Sequence, residues 1–373
     1  MKETRKPVRV SPPGRIISAE LETRDWTQKD LAQIMDRPEQ MVNEIIRGKK
    51  QITSDTALEL AEVFGTSPAF WANLEANYRL HLAGASQHGK DISRRSRLYS
   101  LAPVRELQKR GWIPRASDLE ELEAAVLAFL RQTSLDQTPA LAASFRRSTA
   151  RMADDRAVLA WVRRVEALAV EQCLPSFDQQ KLVEALPGII ELTALGSSIS
   201  AVPDALLSLG IHFVVVPHLA QTYIDGAVLR VADAPVVAVS LRYDRIDSFW
   251  FTLMHELAHL VLGHEGTYVD SFDDRARTKN ERQADKTASD WLLDPVAYGA
   301  FVESTPRPFS LRSIEDFARR QSRHPGLVVG RLQHEGLAEW THFRKTLVNA
   351  RPLLLEWIDT AVGPGSPHMT ACT

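Results

Sequence analysis

Two histidines four residues apart, His255 and His259, with Glu256 directly after the first, stand in the stretch FTLMHELAHLVLGHE. On a helix, residues four apart differ by about 40° in azimuth and one turn along the axis, so both imidazoles point at one spot. Two imidazoles so placed bind a Zn²⁺ ion. Glu256 lies beside such a metal rather than on it, where it takes a proton from a bound water and passes it to a leaving amine. The neighbours Phe251, Leu253, Met254, Leu257, Leu260, Val261 and Leu262 predict a helix buried nearly all round. Polar side chains inside it need partners, and a metal supplies one. The five-residue pattern alone is moderate evidence; apolar helical flanks, a preceding run of strands and a carboxylate downstream strengthen it.

A third ligand is required. Gly and His seven and ten residues after the first His would make one known arrangement, but those positions hold Leu262 and Glu265. The alternative is a carboxylate from a second helix, and the stretch Asn280-Glu281-Arg282-Gln283-Ala284-Asp285 offers it. Glu281 and Asp285 share a helix face, so Glu281 can bind the metal while Asp285 accepts the outer ring N–H of a ligand histidine. Competing third ligands are His264 and the acidic residues Asp270, Asp273 and Asp274. Three protein ligands leave an open coordination position, which suits hydrolysis. A donor facing the developing oxyanion is also expected, with Tyr223, His324 and Arg331 as candidates.

The elements that must carry these residues read as follows. GIHFVVV (210–216), AVLRV (227–231) and PVVAVSL (235–241) are β-branched runs separated by turn residues, which predict a small, mostly antiparallel sheet. A helix from about Ile246 to Leu262 follows, with Asp247 or Ser248 as its cap, and another runs from about Thr278 to Leu293. Residues 118–195 are rich in Leu, Ala, Glu and Arg at helical spacing and carry no chemical motif. Residues 90–115 hold eight Lys/Arg against Asp91 and Glu106 and read as a basic, partly helical connector. The closing GPGSPHMTACT reads as a disordered tail.

The stretch from about 207 to 335, with FTLMHELAH, ERQADKTASDWLLDP and HPGLVVGRLQHEG, resembles the ImmA/IrrE family of metallopeptidases over about a third of the chain. The resemblance implies a small α+β gluzincin-like protease that cleaves regulatory proteins, often repressors. It places two ligand histidines on His255 and His259, the catalytic glutamate on Glu256 and the downstream ligand on Glu281.

At the other end, TQKDLAQIMDRPEQMVNEIIRG (27–48) reads as two short helices with a tight turn. Thr27 caps the first, Ala32 allows close approach, and Leu31, Ile34, Met35, Val42 and Ile45 supply a shared core. Asp36 sits where a left-handed residue is wanted. In a helix-turn-helix, the second helix, about Pro38 to Arg47, enters the major groove of DNA. Gln28, Gln40 and Asn43 are then candidates for polar contacts, and Arg47, Lys49 and Lys50 for phosphates. Residues 12–80 closely resemble the HigA-type antitoxin branch of the XRE helix-turn-helix family, which implies a dimeric repressor acting on an operator in double-stranded DNA. Phe70, Trp71, Leu74 and Tyr78 are expected in the core rather than as stacking platforms for bases. Residues 1–80 carry 12 Lys/Arg and 12 Asp/Glu, so non-specific DNA affinity should be weak.

The whole chain of 373 residues, with 44% hydrophobic and 25% charged residues and a formal net charge of −2, is too long for one core and excludes a generally basic nucleic-acid coat. Two cysteines, Cys173 and Cys372, are too few for a disulfide framework or a Cys-rich zinc site. The start MKETRKPVRV has no apolar signal core, and no apolar run is long enough to span a bilayer, which makes a reduced cytoplasm the default compartment. The expected architecture is multidomain and mainly α: an all-α helix-turn-helix domain at 1–82, a basic connector and helical region at 83–195, an α+β zinc metallopeptidase domain at 196–345, and a C-terminal helix and tail at 346–373. The expected function is a DNA-binding regulator of antitoxin type, homodimeric through its N-terminal domain, whose zinc endopeptidase cleaves a repressor or toxin-system partner. A repressor whose metallopeptidase-like half senses or binds without cleaving is the alternative.

Overall fold

A computed structural model describes residues 10–84, 87–137, 154–264, 268–270 and 279–360. The chain forms two compact units, Met1–Ser96 and Arg97–Thr373.

Among the described residues the first unit holds α1 (Pro13–Thr23), α2 (Gln28–Ile34), α3 (Glu39–Ile46), α4 (Ser54–Phe64) and α5 (Pro68–Gly84), and it takes in the start of a sixth helix, Gln87–Leu101, which runs on past Ser96. Pro12-Pro13-Gly14 opens α1, with Pro12 as its N-cap. Pro13 occupies the first turn, where its missing N–H costs nothing, and Gly14 lies so close to the Ile46 backbone that no Cβ fits. Thr27 forms the expected cap, accepting from the Asp30 N–H while the Asp30 carboxylate accepts from the Thr27 N–H. Asp36 takes the left-handed conformation with φ 50°. The core includes Ile17, Leu31, Ala32, Val42, Ile45, Leu60 and Trp71. Two expectations fail here: Ile34 is 50% exposed and Phe70 is 43% exposed, the latter edge-on to Trp71.

In the second unit, β1 (His212–Val215), β2 (Gly226–Val231), β3 (Ala234–Val239) and β4 (Tyr268–Asp270) pair in the order β1-β3-β2-β4. Both β2 ladders are antiparallel, but β1 runs parallel to β3. The hairpin between β2 and β3 turns at Ala232 and Asp233, both at positive φ, which matches the strands' right-handed twist. It reverses the chain once, and β3 lies between β1 and β2, parallel to the first and antiparallel to the second. Successive residues point to opposite faces, and both faces are buried, which is why the strands read as unbroken apolar runs.

One face, with Val214, Leu229, Val236 and Ala238, packs on residues from the segment the sequence assigned to a connector and a bland middle. That segment contains α6 (Gln87–Leu101), α7 (Val104–Lys109), α8 (Leu119–Leu130) and α9 (Asp155–Val170). Leu98, Leu107, Ile113, Val126, Leu130, Trp161 and Val165 are buried there. Residues 97–195 thus belong to the same unit as the sheet rather than dividing from it at 195. Positive charge hid the apolar stripe: Arg110, its side chain 20% exposed, lies along Trp112 and donates to the Pro217 and His218 carbonyls.

The other face, with Phe213, Val215, Val237 and Val239, packs on α12 (Ile246–Val261), the helix of the histidine motif. Helices α10 (Gln179–Glu191) and α11 (Val202–Ser208) flank it. Neither expected cap serves α12. Its N-cap is Arg245, with no side-chain cap bond, and Asp247 instead accepts from Arg245 and sits against Gly330, where no Cβ fits. Helix α13 (Lys279–Leu292) follows, then α14 (Pro295–Ser304), α15 (Leu311–Arg320) and α16 (Pro325–His334). The expected C-terminal helix after 346 is absent among the described residues. Pro352 cannot continue a helix, and the chain makes single 3₁₀ turns and then pairs Ile358 with Val215. Asp359 there accepts from Trp112 and Arg164, binding this end to the helical layer. The GPGSPHMTACT tail lies outside the described residues. No described helix is long and apolar enough to cross a membrane.

His324 caps α16: its Nδ1 accepts from the Gly326 N–H at 3.1 Å, and burial holds its pKa below the ordinary 6.5. Protonating Nδ1 removes that acceptor, so the folded state favours neutral imidazole. The cap's contribution, about 1 kcal/mol, is therefore complete above pH 6.5 and lost as the pH falls below it. The urea midpoint should drop between pH 8 and pH 5 more in the wild type than in His324→Asn, which keeps a side-chain acceptor but does not titrate.

Candidate functional site

Helix α12 buries residues on every side, and His255, Glu256 and His259 are 1%, 0% and 0% exposed. The Nε2 atoms of His255 and His259 lie 3.1 Å apart. Glu281 Oε2 is 3.3 Å from the first and 3.7 Å from the second. Helix α13 reaches this close because its inner stripe pairs the two carboxylates with small residues: Glu281, Ala284, Asp285 and Ala288, both alanines fully buried. Asp285 Oδ1 stands 3.0 Å from His255 Nδ1, which orients that ring from behind.

The donor set fits zinc. Metal bonds of 2.0–2.1 Å in a tetrahedral site put ligand atoms about 3.3 Å apart, close to the three separations observed. Imidazole and carboxylate are zinc donors, and converging lone pairs in a dry interior are costly without a cation. His255, His259 and Glu281 form the one cluster among the described residues that could hold a metal.

The other sequence candidates are placed as follows. His264, a competing ligand on sequence, faces the outer nitrogen of His259, with Nδ1 to Nδ1 at 3.0 Å. Asp273 and Asp274 lie outside the described residues, and Asp270 is in β4 with its side chain undescribed. His324 packs near Gly196 and Gly326, both against Ile246 at the start of α12. At 1.5 Å per residue that is about 14 Å along the axis from His255, so His324 serves as a cap. Arg331 is held by Glu335 and covers the Tyr298 ring. Tyr223, in the segment that leads into β2, has its carbonyl and ring both against Arg242.

That segment ends in a residue that bears directly on Glu256. Gly226 is the first residue of β2, and a Cβ there would collide with the Glu256 carboxylate and with Thr252 Cγ2 at 2.6 Å. A glycine opening a β-branched run is the available sign of such a close approach.

In the N-terminal unit, Asn43 on α3 donates to Gln28 on α2 at 3.0 Å, and Gln40 donates to Glu44 at 3.1 Å. Arg47, Lys49 and Lys50 are exposed just beyond α3, where the Glu44 carbonyl accepts both lysine N–H groups.

Gly226→Ala should overpack the site and cost about 1–3 kcal/mol. Gly188→Ala, on an exposed stretch of α10 with open space around it, should instead stabilise by up to ~1 kcal/mol. Urea denaturation of the two variants gives opposite shifts if the geometry is right.

Residues 246–327 match the Peptidase U49 family model and residues 17–71 a helix-turn-helix model. An HTH-type transcriptional regulator of Haemophilus influenzae is 40% identical over 78 residues, covering 21% of this chain and 70% of that protein. An addiction module antidote protein of the HigA family from Coxiella burnetii is 39% identical, with 23% and 94% of the two chains covered and a TM-score of 0.22. Pseudomonas aeruginosa antitoxin HigA, solved with its higBA promoter, is 36% identical, with 22% and 91% covered and a TM-score of 0.22. The chain therefore belongs to the XRE-type helix-turn-helix transcriptional regulators through its N-terminal unit, and it carries a Peptidase U49 domain of the ImmA/IrrE type around the His255-Glu256-Leu257-Ala258-His259 motif.

Proposed function

We propose that this protein is a cytoplasmic, DNA-binding regulator of antitoxin type whose second unit is a zinc-dependent endopeptidase acting on a regulatory protein. The observation that carries the reading is the convergence of His255, His259 and Glu281 donor atoms within 4.8 Å of one another, with the buried Glu256 carboxylate one position from the first ligand. His255, His259 and Glu281 would hold the metal, with Asp285 behind His255. Zinc bound there supplies Lewis acidity towards water and towards a substrate carbonyl. Glu256 moves the proton: its carboxylate takes one from the attacking water and delivers it to the departing amine. Its side chain is walled by β2 at Gly226, so the carboxylate has little room to leave this position. A repressor or toxin-system partner is the substrate class that fits a peptidase joined to an antitoxin-like DNA reader.

The N-terminal unit is proposed to act as a homodimer on an operator. Gln40 and Asn43 on α3 meet base edges, with Gln28 behind Asn43, and Arg47, Lys49 and Lys50 hold phosphates. Near-neutral charge over residues 1–80 limits phosphate contacts, so binding should depend weakly on salt.

Elemental analysis of the purified chain should find about one zinc per chain, lost in His255→Ala and His259→Ala. Glu256→Gln should keep the metal and lower cleavage of a co-expressed neighbouring regulatory protein by roughly 10²–10⁴-fold. A chain that takes up no zinc would sink the peptidase reading. For DNA, Arg47→Ala should weaken operator binding evenly across sequences and reduce the salt slope by about 1, measured by fluorescence anisotropy over a salt series.

A further inference from the structure

Helix α12 ends at Val261, and Gly263 follows in the left-handed conformation with φ +65°. The stop is a complete Schellman turn: the His264 N–H donates to the His259 carbonyl at 3.0 Å and the Gly263 N–H to the Leu260 carbonyl at 3.3 Å. This turn folds residue 264 back over the last residue of the histidine motif. The two residues meet a second time through their rings, with centroids 5.0 Å apart, planes inclined by 66° and Nδ1 3.0 Å from Nδ1. His264 also hydrogen-bonds the Gln283 side chain on α13.

His259 presents Nε2 to His255 and Glu281. With Nε2 committed to a metal, a neutral imidazole carries its only proton on Nδ1 and needs an acceptor there. Among the described residues, His264 Nδ1 stands at hydrogen-bond distance from that nitrogen. We infer that His264 is a positioning residue of the metal centre, which accepts the Nδ1 proton of His259 and so fixes the tautomer and plane of that ligand. Asp285 stands in the same relation to His255, with Oδ1 3.0 Å from its Nδ1. Gly263 is part of the device, because the left-handed turn delivers the His264 ring. This inference rests on the metal-site reading given above.

The test is competitive zinc titration of the full-length, metal-stripped protein against a chromogenic chelator at neutral pH, with circular dichroism to check folding. His264→Leu should weaken zinc binding about 10–100-fold. His264→Asn should recover most of the affinity, because its Oδ1 takes the place of Nδ1. His264→Gln, whose amide oxygen reaches beyond that place, should not recover it, and this pair decides the question if the leucine variant does not fold. Unchanged affinity in His264→Leu overturns the proposal, as does equal loss in the asparagine variant. Abolished binding, as expected for His255→Ala, would make His264 a ligand and also overturn it. If the wild type takes up no zinc, the metal-site reading falls first, and the positioning role with it.

Discussion

Three polar donors converge within 4 Å of one another in an almost dry interior, and that convergence constrains everything around it. Imidazoles and a carboxylate so placed need a partner for their lone pairs, or they cost more than the surrounding apolar contacts return. Helix α12 is apolar on its remaining faces because it must be held on all sides for the two histidines to stay in register. Helix α13 spends two positions of its inner stripe on alanine because Glu281 reaches the histidines only if the helix axes come close. Strand β2 begins with glycine because the carboxylate of Glu256 occupies the space a side chain would need.

Rigidity at that point depends on the layer behind the sheet. The strands are only three to six residues long, and the sheet that carries α12 has packing on its second face as well. Helices α8 and α9, with the turns around Trp112, provide it. The chain's last described residues then cross back: Ile358 extends the sheet beside Val215, and the buried Asp359 carboxylate joins Trp112 to Arg164. The helical middle without a chemical motif is therefore the backing of the site, and its amino acids are conventional because packing is what they supply.

What the sequence revealed followed from how local each signal was. The HExxH spacing is a property of one helix, so the convergence of His255 and His259 was legible, as was the Glu281 and Asp285 face of the next. The cap at Thr27 and the left-handed Asp36 are likewise local. The parallel ladder of β1 and β3 was not legible, since pairing partners depend on where the hairpin inserts. Membership of residues 97–195 in the sheet's unit was hidden because surface arginines diluted an apolar stripe that only the partner layer reveals. His324 and Arg331 carried the right chemistry for an oxyanion donor, but each is committed elsewhere, one to the Gly326 N–H and one to Glu335. Ile34 looked like core from composition, yet the period of α2 turns it outward.

The partners behind the two histidines differ in kind, and the difference bears on charge. Asp285 adds a carboxylate behind His255, whereas His264 adds a neutral ring behind His259. Glu256, Glu281 and Asp285 are three carboxylates in one buried site, and a divalent cation held there would offset two of their three negative charges. A carboxylate in place of His264 would make the loaded centre more anionic and oppose the negative charge that builds on a substrate carbonyl during attack. A helix stop that supplies an uncharged acceptor satisfies the outer nitrogen of His259 without that penalty. The glycine needed for the turn and the imidazole needed for the bond are adjacent in the sequence because one backbone geometry delivers both.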